Sequence, residues 1–138
     1  MRALVQRVSR AAVDVEGDRV AQIEAGMLVL LGVGVGDGTA ECDRLAEKVA
    51  KLRIFDDAEG RMNEPLGERE ILCVSQFTLY GDASRGNRPS YVAAARPEDA
   101  EPLYERFCDR LGAKQGVFGA CMGVALINDG PVTIWLEV

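Results

Sequence analysis

The amino-acid sequence predicts a single α+β domain, residues 1–138, in which a mainly antiparallel, barrel-like sheet is accompanied by two helices. The chain has 138 residues, of which 48% are hydrophobic, enough for one domain to close a core. Short alternating runs rich in β-branched residues occur at both ends of the chain, which is typical of strands. Two longer stretches place apolar residues at helical spacing, which indicates amphipathic helices on the sheet.

The first half of the chain is predicted to form a meander followed by a helix. Alternating and apolar runs predict strands at Arg2–Val8, Ala11–Val15, Arg19–Ile23 and Met27–Val33. Thr39 is suited to cap a helix that runs to about Leu52. The apolar face of this helix is expected to contain Cys42, Leu45, Val49 and Leu52.

The second half is predicted to contain one strand, a second helix and two closing strands. Glu70–Thr78 is rich in apolar residues and predicts a strand. Pro97 suits the first turn of the second helix. The apolar face of that helix is expected to contain Ala100, Leu103, Phe107 and Leu111. Phe118–Ile127 and Val132–Val138 are predicted to be the closing strands, on either side of a turn.

Four alternating glycines follow the fourth predicted strand, at Gly32, Gly34, Gly36 and Gly38. They do not have the spacing of a dinucleotide-binding or P-loop motif. Close backbone packing or a loop is therefore the favoured interpretation.

Composition excludes several classes of function. The chain contains no histidine, which excludes histidine-based triads and histidine general bases and disfavours the common zinc and non-haem iron sites. We therefore expect no metal and no cofactor. A net charge of −6 disfavours nonspecific attraction to nucleic acids or membranes. The spacing of the four cysteines fits no zinc framework, and buried, reduced thiols are the simplest interpretation.

The sequence also carries information about location. No stretch approaches the length of an apolar membrane span, and the first residues lack the apolar core of a signal peptide. A cytoplasmic protein without a membrane partner is therefore expected.

The segment Ser75-Gln76-Phe77-Thr78-Leu79-Tyr80 combines hydroxyl groups, an amide and an aromatic ring at the end of an apolar strand. Such a segment can stabilise a developing oxyanion while the ring of Phe77 packs against a flat ligand. A strand edge with surface hydroxyl groups is the simpler alternative.

The segment Asn128-Asp129-Gly130-Pro131-Val132-Thr133 contains a Gly-Pro pair, which displays carbonyl oxygens with little side-chain bulk in front of them. On spacing alone an ordinary hairpin turn is favoured, and the sequence leaves the isomer of the X-Pro bond open. The loop that contains Arg85 and Arg88 is the only compact basic segment available to phosphates.

The sequence resembles the D-aminoacyl-tRNA deacylase family from end to end. Two long motifs, Ser75–Tyr80 and Asn128–Thr133, stand in the family's order and positions. Shorter matches are Met1–Val8, Leu52–Phe55, Met62-Asn63, Asn87–Ser90 and Phe118–Ala120. One residue departs from the pattern, because Cys121 occupies a position where the family is expected to have an acidic residue.

The resemblance implies a homodimeric hydrolase that cleaves the ester between a D-amino acid and the terminal adenosine of tRNA. It implies that the bond between Gly130 and Pro131 is cis and that this pair enters the partner's pocket, where it excludes L side chains. It also implies that Arg7 braces the Gly-Pro segment. Ser75–Thr78 would hold the adenosine end and the scissile ester.

Since the chain has no histidine, we expect catalysis by position and by preorganised hydrogen-bond donors. Backbone N–H groups near Gln76 and Phe77, with the hydroxyl group of Thr78, are the expected oxyanion donors. A covalent nucleophilic role for Thr78 is the alternative. Met122 is a candidate for the adenosine pocket or for the core. Two other functions stay open: a related deacylase acting on mischarged L-alanyl-tRNA, and a dimeric nucleic-acid-binding module without activity.

Overall fold

The computed structural model describes residues 1–138, in which a strongly curved, barrel-like sheet packs against two helices. The predicted fold class is confirmed. The elements are, in chain order, β1 (Arg2–Val15), β2 (Asp18–Ile23), β3 (Gly26–Gly32), α1 (Thr39–Ala50), β4 (Phe55–Asp56), β5 (Met62–Glu64), β6 (Glu70–Ser75), a 3-10 turn (Phe77–Tyr80), α2 (Pro97–Leu111), β7 (Lys114–Gln115) and β8 (Gly123–Glu137).

The main sheet has six strands and is organised around β1. The strand order is β2-β1-β3-β6-β7, and β8 also pairs with β1. The three pairings of β1 are antiparallel, whereas β6 pairs in parallel with both β3 and β7. β8 pairs with no strand other than β1, so its second edge has no strand partner within the chain.

Two long strands replace four predicted ones. Arg2–Val8 and Ala11–Val15 are one strand, β1, because β8 pairs with both segments and bulges absorb the irregular register between them. Phe118–Ile127 and Val132–Val138 were wrong as separate strands, because residues 123–137 form the single strand β8. The predicted hairpin turn at Asn128–Pro131 is therefore wrong, and that segment is a bulge within β8.

Both helices pack with the predicted apolar faces toward the core. Cys42, Leu45 and Val49 of α1 are buried, as are Leu103 and Phe107 of α2. Neither helix is long and apolar enough to cross a membrane.

The start and the end of α1 differ slightly from the prediction. The cap position is Gly38 rather than Thr39, and the backbone N–H of Gly38 donates to Oε2 of Glu41 at 2.9 Å. This hydrogen bond lowers the pKa of the Glu41 carboxyl group. The helix ends at Ala50, so Leu52 lies beyond it.

Two of the four alternating glycines are required by close packing. A Cβ atom on Gly34 would lie 2.8 Å from the ring of Tyr80, and one on Gly32 would lie 3.1 Å from the carbonyl oxygen of Gln76. These glycines let the 3-10 turn pack directly on the end of β3 and on the chain that follows it. The packing interpretation is thus confirmed at these two positions, whereas a Cβ on Gly36 would meet no atom within 4 Å.

Candidate active site

A cavity of about 600 Å³ opens where β6 ends, beside the 3-10 turn and the first turn of α2. Eleven of its fifteen lining residues are hydrophobic. Most of the wall comes from three stretches that are distant in the chain, within residues 74–77, 91–100 and 118–124. A mostly apolar cavity with a few polar groups is typical of a site for a small ligand or one end of a larger one. The chain contains no group of three or more Cys, Asp or Glu side chains that is arranged to hold a metal ion.

Four of the predicted site residues line this cavity: Ser75, Gln76, Phe77 and Met122. The side chain of Phe77 is half exposed and meets the ring of Tyr91 edge to face, with the ring centroids 5.0 Å apart. The ring of Phe77 is thus held in place while part of its surface stays open to a ligand.

The chain leaves its strand at Ser75, which changes the backbone donors available at the cavity. The predicted strand Glu70–Thr78 is too long, because a 3-10 turn begins at Phe77. The N–H of Gln76 donates to the carbonyl oxygen of Leu31 at 2.7 Å and is therefore not a free oxyanion donor. The first N–H groups of a helical turn have no partner within the turn, so Phe77 and Thr78 are the backbone donors that remain for that role.

Thr78 does not line the cavity, and its side chain is exposed. Its hydroxyl oxygen accepts a hydrogen bond from the side-chain amide of Gln76. Gln76 is the only hydrogen-bond partner of this hydroxyl group, and an amide is not a base. The arrangement therefore offers no group that would remove the proton of Thr78 and make it a nucleophile.

The side chain of Arg2 fixes the position of the 3-10 turn. Its Nη1 donates to the carbonyl oxygen of Leu79 at 3.0 Å, and its guanidinium carbon lies 4.3 Å from the centroid of the Tyr80 ring. Nε of Arg2 is paired with Glu137 at 2.9 Å. This contact keeps the guanidinium group oriented and lowers the pKa of the Glu137 carboxyl group. The turn that supplies Phe77 and Thr78 is thus fixed to the ends of β1 and β8.

The Gly130–Pro131 pair forms a second cluster, in the bulge of β8. In the pairing of β1 with β8, Gln6 faces Thr133 and Val8 faces Asn128, so Arg7 lies opposite four residues. The Gly130–Pro131 peptide bond is cis, and both residues are exposed.

Arg7 and Asn128 fix this bulge from inside. The Arg7 side chain is only 9% exposed, and its Nε donates to the carbonyl oxygen of Asp129 at 3.2 Å. Its Nη1 donates to the carbonyl oxygen of Ile54 at 2.8 Å. The side-chain amide of Asn128 donates to the carbonyl oxygens of Arg7 and Val132, at 3.0 and 2.9 Å. These hydrogen bonds fix the backbone on both sides of the Gly-Pro segment, so its exposed carbonyl groups have a defined position.

Within one chain the structure does not join the two clusters. None of Arg7, Thr78, Gly130 and Pro131 belongs to the lining of the cavity. Ser75, Gln76, Phe77 and Met122 are together, and Arg7, Gly130 and Pro131 are together elsewhere.

Sequence reasoning missed part of each cluster. The cavity wall also contains Tyr91, Ala95, Pro97 and Ala100. Small apolar residues carry no chemical signature in a sequence. Tyr91, in contrast, could have been found as the aromatic residue that follows the basic loop. The structural role of Asn128 was not predicted, although its position before Asp-Gly-Pro is a signal for a side chain that hydrogen-bonds to the backbone of the bulge.

The prediction that all four thiols are buried is wrong for one of them. Cys42, Cys73 and Cys108 are buried, whereas Cys121 is exposed next to the cavity residues Ala120 and Met122. Burial raises the pKa of the Cys42 thiol to about 11 and raises that of Cys73 as well. A thiolate is the reactive form of cysteine, so reactivity is expected at Cys121 only.

Treatment of the native protein with iodoacetamide at about pH 8 is accordingly expected to alkylate Cys121 alone, because it is the exposed thiol. Intact-mass measurement should show one added group, and four after denaturation. A Cys121→Ser variant should take up none in the native state. Alkylation of a second thiol in the native wild type would contradict the assigned burial.

Comparison with known proteins finds similar proteins that match nearly the whole chain. A family described as "D-Tyr-tRNA(Tyr) deacylase" matches residues 4–137. A protein from Myxococcus xanthus named D-aminoacyl-tRNA deacylase is 55% identical, covering 99% of this chain and 94% of that protein. A protein of the same name from Roseiflexus castenholzii is 57% identical, covering 99% and 92%.

Two solved structures share the fold. One, titled "c-Myc DNA Unwinding Element Binding Protein", is 41% identical with a TM-score of 0.95 and covers 100% of this chain and 99% of that one. The other, titled as a probable eukaryotic D-amino acid tRNA deacylase, is 18% identical with a TM-score of 0.79 and covers 99% and 98%. By the family match and by identity above one half along nearly the whole chain, this protein belongs to the D-Tyr-tRNA(Tyr) deacylase family.

Proposed function

We propose that the domain formed by residues 1–138 hydrolyses the ester bond of D-aminoacyl-tRNA. The observation that carries this proposal is the family match over residues 4–137, together with 55–57% identity to proteins named for that activity. The products are a free D-amino acid and tRNA with a free terminal hydroxyl group. We place the reaction in the cytosol, because aminoacyl-tRNA is made and used there.

The reaction needs an attacking water, a place for the developing oxyanion and a proton for the leaving oxygen. Water adds to the ester carbonyl carbon, and the bond from that carbon to the ribose oxygen then breaks. The backbone N–H group of Phe77, a cavity residue, would stabilise the oxyanion, and that of Thr78, the next residue in the turn, is the second candidate donor. Such a donor contributes about 10²- to 10³-fold in rate. The neighbouring ribose hydroxyl group can assist proton transfer, so the absence of histidine from the sequence is no obstacle.

The cavity supports binding of the adenosine end. Its apolar wall and the half-exposed ring of Phe77 suit a flat base, and Met122 adds a polarisable side chain to the same wall. Ser75 and Gln76 line the same cavity, and their polar groups would bind the scissile ester.

Selection against L-amino acids is proposed to come from a second subunit. In a homodimer, the exposed Gly130–Pro131 segment of one subunit would enter the cavity of the other. Its carbonyl oxygens would accept hydrogen bonds from the substrate's amino group and leave no space for an L side chain. The free edge of β8 and the exposed side chains of Ile127 and Trp135 on that strand support association of two copies.

Binding of DNA is the second candidate function, because a 41% identical structure is titled for binding a DNA element. The net charge of −6 favours a narrow contact with one nucleic-acid end over broad binding to a duplex. Deacylation of L-alanyl-tRNA is a further alternative within the enzyme class.

The activity is tested by incubating the purified protein with D-tyrosyl-tRNA and measuring the release of D-tyrosine, with and without EDTA. We expect hydrolysis that EDTA leaves unchanged. Absence of hydrolysis, or its loss on chelation, would refute the proposed metal-free deacylase.

Replacement of Thr78 by alanine is expected to reduce kcat by less than about tenfold, because the residue keeps its backbone N–H and loses only an auxiliary hydroxyl group. The hydroxyl group has no base beside it, so it is not expected to form a covalent intermediate. Single-turnover rates of the Thr78→Ala and Thr78→Ser variants provide the measurement. A loss of four orders of magnitude in the alanine variant alone would instead identify a nucleophile.

Glycyl-tRNA is expected to be a substrate, because glycine has no side chain for the carbonyl groups of Gly130 and Pro131 to exclude. L-alanyl-tRNA is the matched control, since it differs by one methyl group on the excluded side. The initial rates of both should be measured at equal enzyme concentration. Complete resistance of glycyl-tRNA to hydrolysis would contradict exclusion by main-chain carbonyl groups.

A further inference from the structure

We propose that the exposed hairpin of residues 82–90, together with Arg96, which follows the cavity residues Ala94 and Ala95, is the surface that holds the phosphate groups of the tRNA acceptor end. We call these three arginines, Arg85, Arg88 and Arg96, the arginine hairpin cluster. This inference rests on the proposed function, since it takes tRNA to be the bound substrate. It adds a contact with the phosphate groups of the tRNA, which the apolar cavity does not provide.

The distribution of positive charge favours this surface. Nine of the sixteen Lys and Arg side chains are paired with carboxylates, but no carboxylate lies within 4.0 Å of any member of the arginine hairpin cluster. Elsewhere, Arg53 and Arg69 are also unpaired but donate to neighbouring backbone oxygens. Arg10 on β1 and Lys48 on α1 are single exposed cations on different elements. Three free guanidinium groups within one short segment are therefore exceptional in this acidic chain.

The nearest acidic side chain in the hairpin does not neutralise the cluster. Oδ1 of Asp82 accepts a hydrogen bond from the N–H of Ser84 at 2.9 Å. Hydrogen bonds from Ser84 also lower the pKa of the Asp82 carboxyl group. Glu98 and Asp99 follow Arg96 in the first turn of α2, where the helix N-terminus favours negative charge. They form no ion pair with the cluster.

The hairpin is anchored beside the mouth of the cavity. Asp82 and Ser90 exchange two backbone hydrogen bonds, each of 2.8 Å. Tyr91, the next residue, lines the cavity and packs against Phe77. Tyr91 is three positions after Arg88, a backbone span of at most about 11 Å. All residues from 81 to 93 are exposed, so the hairpin projects into solvent.

A second attachment fixes the position of Arg96. The N–H of Val35 donates to the carbonyl oxygen of Ala93 at 3.0 Å, and the N–H of Ala95 donates to that of Val33 at 2.9 Å. Ala94 and Ala95 line the cavity wall. The exposed Arg96 therefore lies between the cavity residues Ala95 and Pro97, at the edge of this wall.

The chemistry of the substrate matches this placement. If the terminal nucleoside occupies the cavity, the preceding phosphate groups must leave across its rim. Guanidinium groups bind phosphate oxygens in a bidentate manner and release condensed counterions, which makes binding dependent on salt. A chain of net charge −6 needs such a local positive surface to hold a polyanion.

The test compares two triple variants that remove the same number of charges. The first is Arg85→Gln/Arg88→Gln/Arg96→Gln. The control is Lys48→Gln/Lys51→Gln/Arg61→Gln, in which all three replaced side chains are exposed and lie on α1, directly after it or near β5. For each protein, kcat/KM is measured over a range of KCl concentrations with D-tyrosyl-tRNA and with D-tyrosyl-adenosine, an ester that has no phosphate group.

We expect the cluster variant to lose at least about tenfold in kcat/KM for D-tyrosyl-tRNA, mainly through KM. The slope of log kcat/KM against log salt should become less steep by about 2, since each lost phosphate contact removes about 0.7 to 0.9. Its rate with D-tyrosyl-adenosine should equal that of wild type. The control variant should keep both the rate and the slope.

An unchanged slope in the cluster variant, with normal cleavage of both substrates, would overturn the inference and leave the proposed function intact. An equal loss on D-tyrosyl-adenosine would also overturn it, because the arginines would then act without phosphate contacts. Wild-type protein that cleaves neither substrate would instead refute the proposed function itself. Duplex DNA should compete only weakly with tRNA, and equal competition would contradict a surface built for the acceptor end.

Discussion

Replacement of Gly130 by alanine is expected to lower kcat/KM for D-tyrosyl-tRNA by about 100-fold, the loss typical of reacting groups displaced by about 1 Å. Gly130 has φ +119°, a conformation that L residues rarely adopt. A Cβ atom at this position would lie 2.9 Å from Nη2 of Arg7 and 2.9 Å from Cγ2 of Val132. Both neighbours are confined, so the Gly-Pro segment must move and carry its carbonyl groups with it.

The measurement is kcat/KM on D- and L-tyrosyl-tRNA, together with the free energy of unfolding in urea. Gly17→Ala is the matched control, because Gly17 has φ +82° in the turn between β1 and β2 and an added Cβ would meet nothing within 4 Å. The control should lose some stability from backbone strain and keep its selectivity. Gly130→Ala with wild-type activity and selectivity would remove the segment from the mechanism.

Replacement of Ala100 by phenylalanine is expected to lower kcat/KM by at least about 100-fold, because the cavity would no longer admit the terminal nucleoside. Ala100 lies in the first turn of α2, is half-buried and lines the 600 Å³ cavity. A phenylalanine side chain at this position would extend into the space between α2 and the 3-10 turn. The loss should appear mainly as an increase in KM rather than as a decrease in kcat, since the N–H donors of Phe77 and Thr78 are not changed.

Two variants separate blockage of the cavity from damage to the fold. Ala100→Ser conserves the side-chain size and should keep nearly full activity. Ala40→Phe places the same large residue on an exposed position in the first turn of α1 and should also be active. If Ala100→Phe folds, as judged by circular dichroism, and still cleaves D-tyrosyl-tRNA at the wild-type rate, the substrate binds elsewhere.

Local sequence patterns predicted the helices well, because the signal that places a helix lies within the helix. The apolar residues of α1 and α2 recur every three or four positions, and those positions are the buried ones. The ends were less accurate, because Gly38 and Glu41 form the start of α1 through a hydrogen bond that competes with capping by Thr39.

The continuity of the two longest strands could not be predicted from local patterns. Ser9 and Arg10 are exposed and polar, so they resemble a break between two strands. Asn128–Pro131 resembles a hairpin turn for the same reason. Pairing of β1 with β8 along nearly their full length decides both cases, and it joins residues more than one hundred positions apart.

The candidate site was predictable where its chemistry resides in side chains. The segment Ser75–Tyr80 and Met122 were recognisable, and Ser75, Gln76, Phe77 and Met122 line one cavity. The set of free backbone N–H donors was not predictable, because the N–H of Gln76 forms a long-range hydrogen bond with the carbonyl oxygen of Leu31. The wall formed by Ala95, Pro97 and Ala100 was not predictable either, since small apolar residues look alike in a wall and in a core.

The central claim is that this chain hydrolyses aminoacyl-tRNA with selection for the D enantiomer. The most direct test is the ratio of initial rates of the wild-type protein on D-tyrosyl- and L-tyrosyl-tRNA at equal concentrations. Steric exclusion by main-chain carbonyl groups predicts a ratio above about 200, more than an apolar pocket achieves by fit alone. Equal rates on the two enantiomers would contradict the account.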